Sequence, residues 1–550
     1  MKKLLMTLAL IACAVTILAQ GLRRPQRKSA SQMARPGTSA AQKRQSCVTT
    51  TNGVEWTYEV VGGAIVLGGK AMKTAVPKNT SGALTIPATI DRLPVRGIGK
   101  DAFASCSALT SVTIPFGVTN IGETAFFDCS GLVSVTIPSS VTRIEREAFG
   151  GCRSLQSILI PPSVTSIEWG TFAHCGGLKS VVIPPSVTSI VEACFQGCSG
   201  LTSVTIPFSV TNIEESAFSF CSGAMAFCVD ESNPLYSSRG GMLCSKDGTV
   251  LVAGVNGDVE IPSGVKRIAH CAFWGYGGVT SVTIPSCVTN IGHLAFDFCD
   301  GLTNVVVAGD NSFYSAEEGV LYDKTKTELI RCWVSKRSAV TIPPGVVNVR
   351  TRAFWGCKDL SSVSIPSSVT NIGPYAFSHC RGLKQIIVET GNPRFMSIDG
   401  VLCSKDGTEL ILWPNGKSPV TIPEGVTRVG NDSFSGGIGL TSLVLPSTVR
   451  SIGSWAFNGC DELVSVTIPA SVKSIGYRAF WNCRKLEKVT MCGERPASQD
   501  SIFYARGRLR AIHVPAHCKS WAGMRRWQEI PLVFVDNLKD VAGKDPAVQK

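Results

Sequence analysis

The sequence predicts a β-dominated solenoid: a right-handed array of 23-residue coils, with three β-hairpin inserts and a cap at each end. Three observations lead there. An isoleucine followed by proline returns at Ile114, Ile137, Ile160, Ile183 and Ile206, always 23 residues apart. Periodicity that strict marks stacked units rather than one large core. The composition, 44% hydrophobic and 17% charged with 54 glycines, suits strands and turns better than helical bundles or disorder. Finally, the spacing lengthens to 32, 35 and 34 residues after Val229, Val307 and Val388, across the related segments NPLYSSRGGMLCSKDGTVLV, NSFYSAEEGVLYDKTKTELI and NPRFMSIDGVLCSKDGTELI. In each segment two alternating apolar runs flank a polar KDG or KTK turn, which is the pattern of a hairpin.

One coil, LTSVTIPFGVTNIGETAFFDC from Leu109 to Cys129, shows how the unit works. Leu109, Val112 and Ile114 keep a Leu-x-x-Leu-x-Leu spacing, and a short strand turns the last two to the same side. Pro115 ends the pairing because it has no amide hydrogen to donate. Val118 and Ile121 form a second apolar pair, and Ala125, Phe126 and Cys129 close the coil. Counting the strand-end residue, the register runs through 18 positions from Ile86 to Val514. No coil buries its apolar side alone, so stacking supplies the core.

The expected organisation follows from composition. Residues 1–19 have the layout of a secretory signal: Lys2 and Lys3, an apolar run from Leu4 to Leu18, then a small residue at Ala19. Leu10-Ile11-Ala12-Cys13 also has the form of a lipobox, which would place a lipid on Cys13, although the chain stays apolar beyond it. Residues 20–46 are a basic linker rich in Ser, Ala, Pro, Gln and Arg, unable to bury a core. Residues 47–100 are an entry cap and 101–493 the coil array, with hairpins near 230–256, 308–338 and 389–418. Residues 494–536 form a closing cap and 537–550 a tail. The net charge of +13 sits mostly at the start: residues 1–46 hold nine Lys or Arg and no acid, leaving 44 against 40 elsewhere. A nucleic-acid partner is therefore not expected, and no later run reaches the ~18 apolar residues of a membrane span.

These residues resemble a known family, the BspA-like bacterial leucine-rich repeat proteins, whose coil reads close to L-x-x-V-x-I-P-x-x-V-x-x-I-G-x-x-A-F-x-x-C. The resemblance runs from about Ile86 to Met491. WTYEVVGGAIVLGG near Trp56 looks like the family's entry segment, and AIHVPAHCKSWAGMRRWQEI like its closing one. It implies a secreted or surface-borne protein that binds host proteins, matrix or other cells. The Asn that follows the strand in ordinary leucine-rich repeats is missing, so ladder contacts from those classes do not transfer.

Catalytic chemistry finds little footing. Eleven of the 22 cysteines occupy one slot: Cys106, Cys129, Cys152, Cys175, Cys198, Cys221, Cys299, Cys357, Cys380, Cys460 and Cys483. That slot also holds Tyr276 and Gly437, which cannot bond to sulfur. Two readings stay open: buried thiols acting as small hydrophobes, and disulfides between stacked neighbours, within reach although parallel side chains do not point at each other. Without a C-x-x-C, zinc is not expected. The six histidines are scattered, and His513 with His517 and Cys518 would meet a metal only if the backbone converged. GGAIVLGGK fails as a phosphate loop because Ala64 and Ala71 stand where it needs Gly and Ser or Thr. No G-x-S-x-G elbow occurs. The expectation is a protein that is not an enzyme, with no catalytic, cofactor-binding or metal residues.

Binding has better candidates. Outward rows of serine (Ser111, Ser134, Ser157) and threonine (Thr113, Thr136, Thr205) are uniform: β-compatible filler on a solvated face, or a shallow surface for extended ligands and glycans. Between Ile121 and Ala125 the coils vary instead, and several carry aromatic or Arg residues of the kind interfaces favour. The candidates there are Trp169, Tyr375, Trp455, Tyr477 and Arg478. Trp274, Trp355 and Trp481, each following the Phe, extend the set, unless these aromatics only shield neighbouring coils. The hairpin inserts are a third candidate, since protrusions from a regular array commonly carry function. The expected partners are a protein of a host, a matrix or another cell surface, with glycans as a further class. The rival reading is an architectural envelope or matrix spacer that self-associates.

Overall fold

The structure is a computed structural model that describes residues 46–51, 53–68, 74–223, 225–333, 338–417, 420–498, 501–503 and 508–536. The expected signal, the Cys13 lipid site, the linker up to residue 45 and the tail from 537 lie outside the described residues. Among the described residues the coil array is present, almost without helix: one 3-10 turn, Lys519–Trp521, is the helical element. No described helix is long and apolar enough to cross a membrane.

Each coil has three sides, and backbone hydrogen bonds tie each side to its neighbour. On the first side lie strands such as Leu109–Thr113 and Ser134–Thr136, paired parallel so that Ser111, Val112 and Thr113 face Ser134, Val135 and Thr136. The second side carries two-residue strands such as Asn120–Ile121 and Arg143–Ile144, also parallel and in register. The proline between them shapes the corner: the Val118 amide donates back to the Pro115 carbonyl at 3.4 Å, and Val141 to Pro138 at 3.0 Å. On the third side the chain turns tightly yet still forms a ladder. Thr124, Phe126 and Asp128 donate to the carbonyls of Arg146, Ala148 and Gly150 in the next coil at 2.9, 2.7 and 2.7 Å.

Those third-side turns need two residues of left-handed backbone. Thr124 and Asp128 have φ of 54° and 55°, and Glu147 and Gly151 have 51° and 77°. Left-handed backbone costs most residues but little for Gly, Asn or Asp. The second position often takes such residues, as at Asp128, Gly151, Gly197, Gly459 and Asn482, but it also holds Ser105, His174, Phe220 and Phe298.

The core lies between the three sides. Leu109, Val112, Ile114, Val118, Ile121, Phe126 and Cys129 are all buried, as the spacing predicts. The phenylalanines stack into a ladder: Phe103, Phe126, Phe149, Phe172, Phe195 and Phe218 lie 4.8 to 5.8 Å apart, ring to ring, nearly parallel. Beside it runs a sulfur ladder. Cys129, Cys152 and Cys175 donate their S–H to the carbonyls of Phe103, Phe126 and Phe149 in the preceding coil at 3.0, 3.2 and 3.2 Å. None of the described cysteines is in a disulfide, so the disulfide alternative for this row is not the one adopted. Burial pushes the Cys175 thiol up to about 12, and a thiol held so far from thiolate is a poor nucleophile. In the native protein a thiol reagent is expected to modify exposed Cys228 first and the ladder thiols only on unfolding. Prompt native labelling of Cys152 or Cys175, read by mass spectrometry, would contradict the ladder.

The three inserts differ from the expected hairpins by one strand. Each is an antiparallel three-stranded meander. The first comprises Tyr236–Arg239, Met242–Ser245 and Val250–Ala253, and the second Tyr314–Glu317, Val320–Asp323 and Glu328–Cys332. The third comprises Phe395–Ile398, Val401–Ser404 and Glu409–Leu412. The last strand of each joins the two-residue strands of the second side, pairing Leu251 with Ile268, Leu329 with Val349 and Leu410 with Val429. The strand the sequence hides, YSSR in the first insert, lacks apolar alternation because both its faces are partly exposed.

At the start, Ser46–Thr51, Val54–Val61 and Ala64–Leu67 form an antiparallel sheet whose last strand hands over in parallel to Leu93–Ile98. At the end, Ala511–Pro515 and Ile530–Val535 extend the first side. Trp521 and Trp527 pack edge-on at 5.3 Å beneath them, so each end closes on apolar residues.

Candidate binding edge and clefts

The variable window of each coil lies on the third side, where the left-handed turns set which side chains reach solvent. Its first position is less free than the sequence implies. In the C-terminal coils this residue is Gly453 or Gly476, where a Cβ would come within 2.6 Å of the Asn431 amide nitrogen or 2.4 Å of that of Ser454. Only glycine fits so close an approach. In N-terminal coils the same position is Glu145 or Glu214, whose carboxylates accept hydrogen bonds from the Glu123 and Glu192 amides of the preceding coils at 3.1 and 2.8 Å.

Seven of the eight candidate residues gather into three aromatic–arginine groups along this edge, and Trp274 packs apart from them. Trp169 is half-buried, with the Arg146 guanidinium 5.5 Å from its ring centroid. Trp355 and Tyr375 are half-buried and pack edge to face at 6.1 Å, with Arg352 at 5.2 and 5.9 Å from the two rings. His379 lies 4.5 Å from Trp355, and burial, aided by nearby Arg381, pushes it down to about 4, so it is an uncharged packing residue near neutral pH. In the third group Arg478 is caged by Trp481, Tyr477 and Trp455 at 3.6, 4.8 and 5.0 Å.

Exposure divides the candidates. Trp274 is 3% exposed, packed against Phe220 at 4.9 Å, while Arg478 is 5% and Trp481 9% exposed. These three hold the neighbouring coils together and support the outer residues. Trp169, Trp355, Tyr375, Trp455 and Tyr477 keep part of their surface in solvent. Stacking a guanidinium on an aromatic face contributes about 0.5–2 kcal/mol and fixes the ring's angle.

Two concavities adjoin this edge. A groove of about 370 Å³ runs over the second-side strands of the last coils, floored by Ser451, Ser454, Ser474 and Gly476 with Arg428 and Asn431 at one end. Asn431 is shared with a cleft of about 260 Å³ beside the third meander, bounded by Tyr375, Leu412, Glu409 and Asp432. Sequence reasoning missed both because each is assembled from residues of different coils. Among the described residues no three His, Cys, Asp or Glu side chains are grouped to hold a metal ion. His513 lies half-buried on the strand Ala511–Pro515.

Comparison with known proteins decides the family. The chain matches the BspA type leucine rich repeat region in six copies, over residues 96–224, 256–338, 332–397 and 417–523. It belongs to the BspA-type leucine-rich repeat family. A leucine rich cell surface protein from Faecalibacterium prausnitzii is 29% identical to this BspA-type chain, covering 83% of it and 98% of its own length with a TM-score of 0.34. A leucine-rich repeat protein from Bacteroides ovatus is 22% identical over 90% of this chain and 99% of its own, with a TM-score of 0.28. The pneumococcal vaccine antigen PcpA is 16% identical over 89% and 99%, with a TM-score of 0.30. Curated proteins yield no match.

Proposed function

We propose that this BspA-type protein is a secreted or cell-surface, non-catalytic adhesion module that binds a protein of a host, a matrix or another cell. The observation that carries the reading is the third-side edge, where Trp169, Trp455 and Tyr477 are held half-exposed against arginines. Aromatic and arginine side chains set rigidly on a surface form the hot spots of protein interfaces, and rigid rings lose little entropy on binding. Family membership fits a repeat surface used for recognition.

The test is a pull-down with the full chain from host or matrix extracts, combined with cell fractionation. Changing Trp169, Trp455 and Tyr477 to Ala together is expected to weaken retention of the captured protein at least tenfold, about 1.4 kcal/mol, with an unchanged circular dichroism spectrum. Equal retention by the triple variant removes this edge from the site. A chain that stays inside the cell, or one that only self-assembles and captures nothing saturably, refutes the adhesion reading.

A further inference from the structure

The second and third meanders each open a cleft against the coil that follows, and the two clefts are built from the same positions of the repeat. In the second, three ionic side chains fill the space. Asp297 pairs through Oδ1 with Arg331 and through Oδ2 with Arg352, both at 3.3 Å, and all three are buried. Arg331 also donates to the Trp355 carbonyl at 3.2 Å. What remains open is about 40 Å³.

In the third cleft the corresponding residues are Ser378, Leu412 and Asp432, and about 260 Å³ is open. The exchange removes both guanidinium groups and places a carboxyl where Arg352 had stood. The Oδ1 of Asp432 is buried without a hydrogen-bond partner. Glu409 is already engaged, accepting from Arg428 Nε at 3.0 Å. Tyr375, whose ring has the Arg352 guanidinium 5.9 Å from its centroid, also lines this cleft. Asp432 is half-buried, and a carboxylate whose Oδ1 is shut away in this manner either takes up a proton or draws a cation to it.

We propose that the cleft beside the third meander receives one guanidinium group, an arginine side chain of a protein partner, which pairs with Asp432 and lies against Tyr375. The proposal deepens the protein-binding reading above and rests on it. The molecule itself shows the arrangement, since in the sister cleft its own arginines fill the equivalent space. Burial pushes the Asp432 carboxyl up to about 8. A guanidinium beside it favours the carboxylate, and a charge-assisted pair in a partly closed cleft is stronger than one in open water.

The probe is a blocked Gly-Arg-Gly tripeptide, followed by ligand-observed NMR with the full chain, against the same peptide carrying neutral citrulline and against agmatine. The arginine peptide is expected to bind with a dissociation constant on the order of 1 mM, as befits one side chain. The citrulline peptide and the Asp432→Asn variant should each bind at least tenfold more weakly. A second variant, Asp432→Arg with Ser378→Asp, restores the Asp297–Arg352 pair of the sister cleft and fills this one from within. It should abolish binding while the melting temperature stays at or above that of the parent. Equal binding of citrulline, or unchanged binding by Asp432→Asn, overturns the proposal. Agmatine binding with the tripeptide excluded overturns the protein source of the group. Because the probe needs no captured partner, failure here leaves the pull-down on Trp169, Trp455 and Tyr477 intact, and failure there leaves this binding measurable.

Discussion

Replacing Phe149 by alanine is expected to lower unfolding free energy by about 3–5 kcal/mol, among the largest losses of any single substitution in the array. The ring is fully buried and stacks on Phe126 at 5.2 Å and on Phe172 at 5.8 Å, within 8° of parallel. Its removal forfeits apolar burial and two aromatic contacts and leaves a hole between rigid coils. The backbone around it is held by the hydrogen bond that the Phe149 amide donates to the Thr171 carbonyl at 2.9 Å, which resists collapse of the coils into the space. In a quasi-one-dimensional array the loss falls on two interfaces, so denaturant unfolding should lose cooperativity as well as midpoint. Phe116, 77% exposed on the same chain, is the control: its alanine variant should unfold like the parent. A loss at Phe149 below about 1 kcal/mol would falsify the ladder as a source of stability.

That ladder was legible in the sequence because it depends only on period. One repeat of 23 sets Leu109, Val112, Ile114, Val118, Ile121, Phe126 and Cys129 inward, and stacking fixes every later copy. What escaped depends on something other than apolar spacing. The left-handed turns leave a trace in Asp128, Gly151, His174 and Asn482, residue types that tolerate that backbone, but the signal is one of conformation. The first strand of the first meander, Tyr236–Arg239, has no buried face to pattern it, and that of the second buries Tyr314 alone. The cysteine row was ambiguous because sequence alone does not reveal that each S–H meets the carbonyl of a Phe one coil earlier.

The binding edge was legible only in outline. Aromatic residues in the variable window do collect on one side, yet Trp274, which follows the Phe, is buried while Trp355 at the same repeat position is half-buried, as is Trp169 inside the window. The neighbours differ too: Phe220 packs against Trp274, whereas Trp169 has the Arg146 guanidinium over its ring. The clefts were invisible for a related reason. Tyr375 and Asp432 become neighbours because an insert stands between their coils and forces the gap that a direct stack would close. The cleft beside the third meander forms where the period breaks, whereas the groove over Ser451 and Ser474 is built by regular coils that differ only in their variable windows.

Substituting Asn392 by alanine is expected to cost about 3 kcal/mol and to loosen the third meander selectively. This buried side chain ties the insert to the array with four hydrogen bonds. Its Nδ2 donates to the carbonyls of Pro366 and Val369 in the preceding coil at 2.8 and 2.9 Å. Its Oδ1 accepts from the amides of Arg394 and Phe395 at 2.9 and 2.8 Å, turning the chain into the first strand. Asn233 and Asn311 make the same set at the other inserts, so the asparagine opening each insert is a joint. Each buried group left without a partner costs about 1–3 kcal/mol, less where water enters. Hydrogen exchange should therefore quicken across residues 395–412 while 236–253 and 314–332 keep their protection. Asp at this position separates donor from acceptor: it retains both bonds to the amides but turns a carboxylate oxygen toward two carbonyls. Because burial raises its folded-state pKa, Asn392→Asp should lose stability progressively as pH rises above about 4, the ordinary carboxylate value. If it behaves like the parent, the bonds to Pro366 and Val369 are dispensable, and the meander is held by its strands alone.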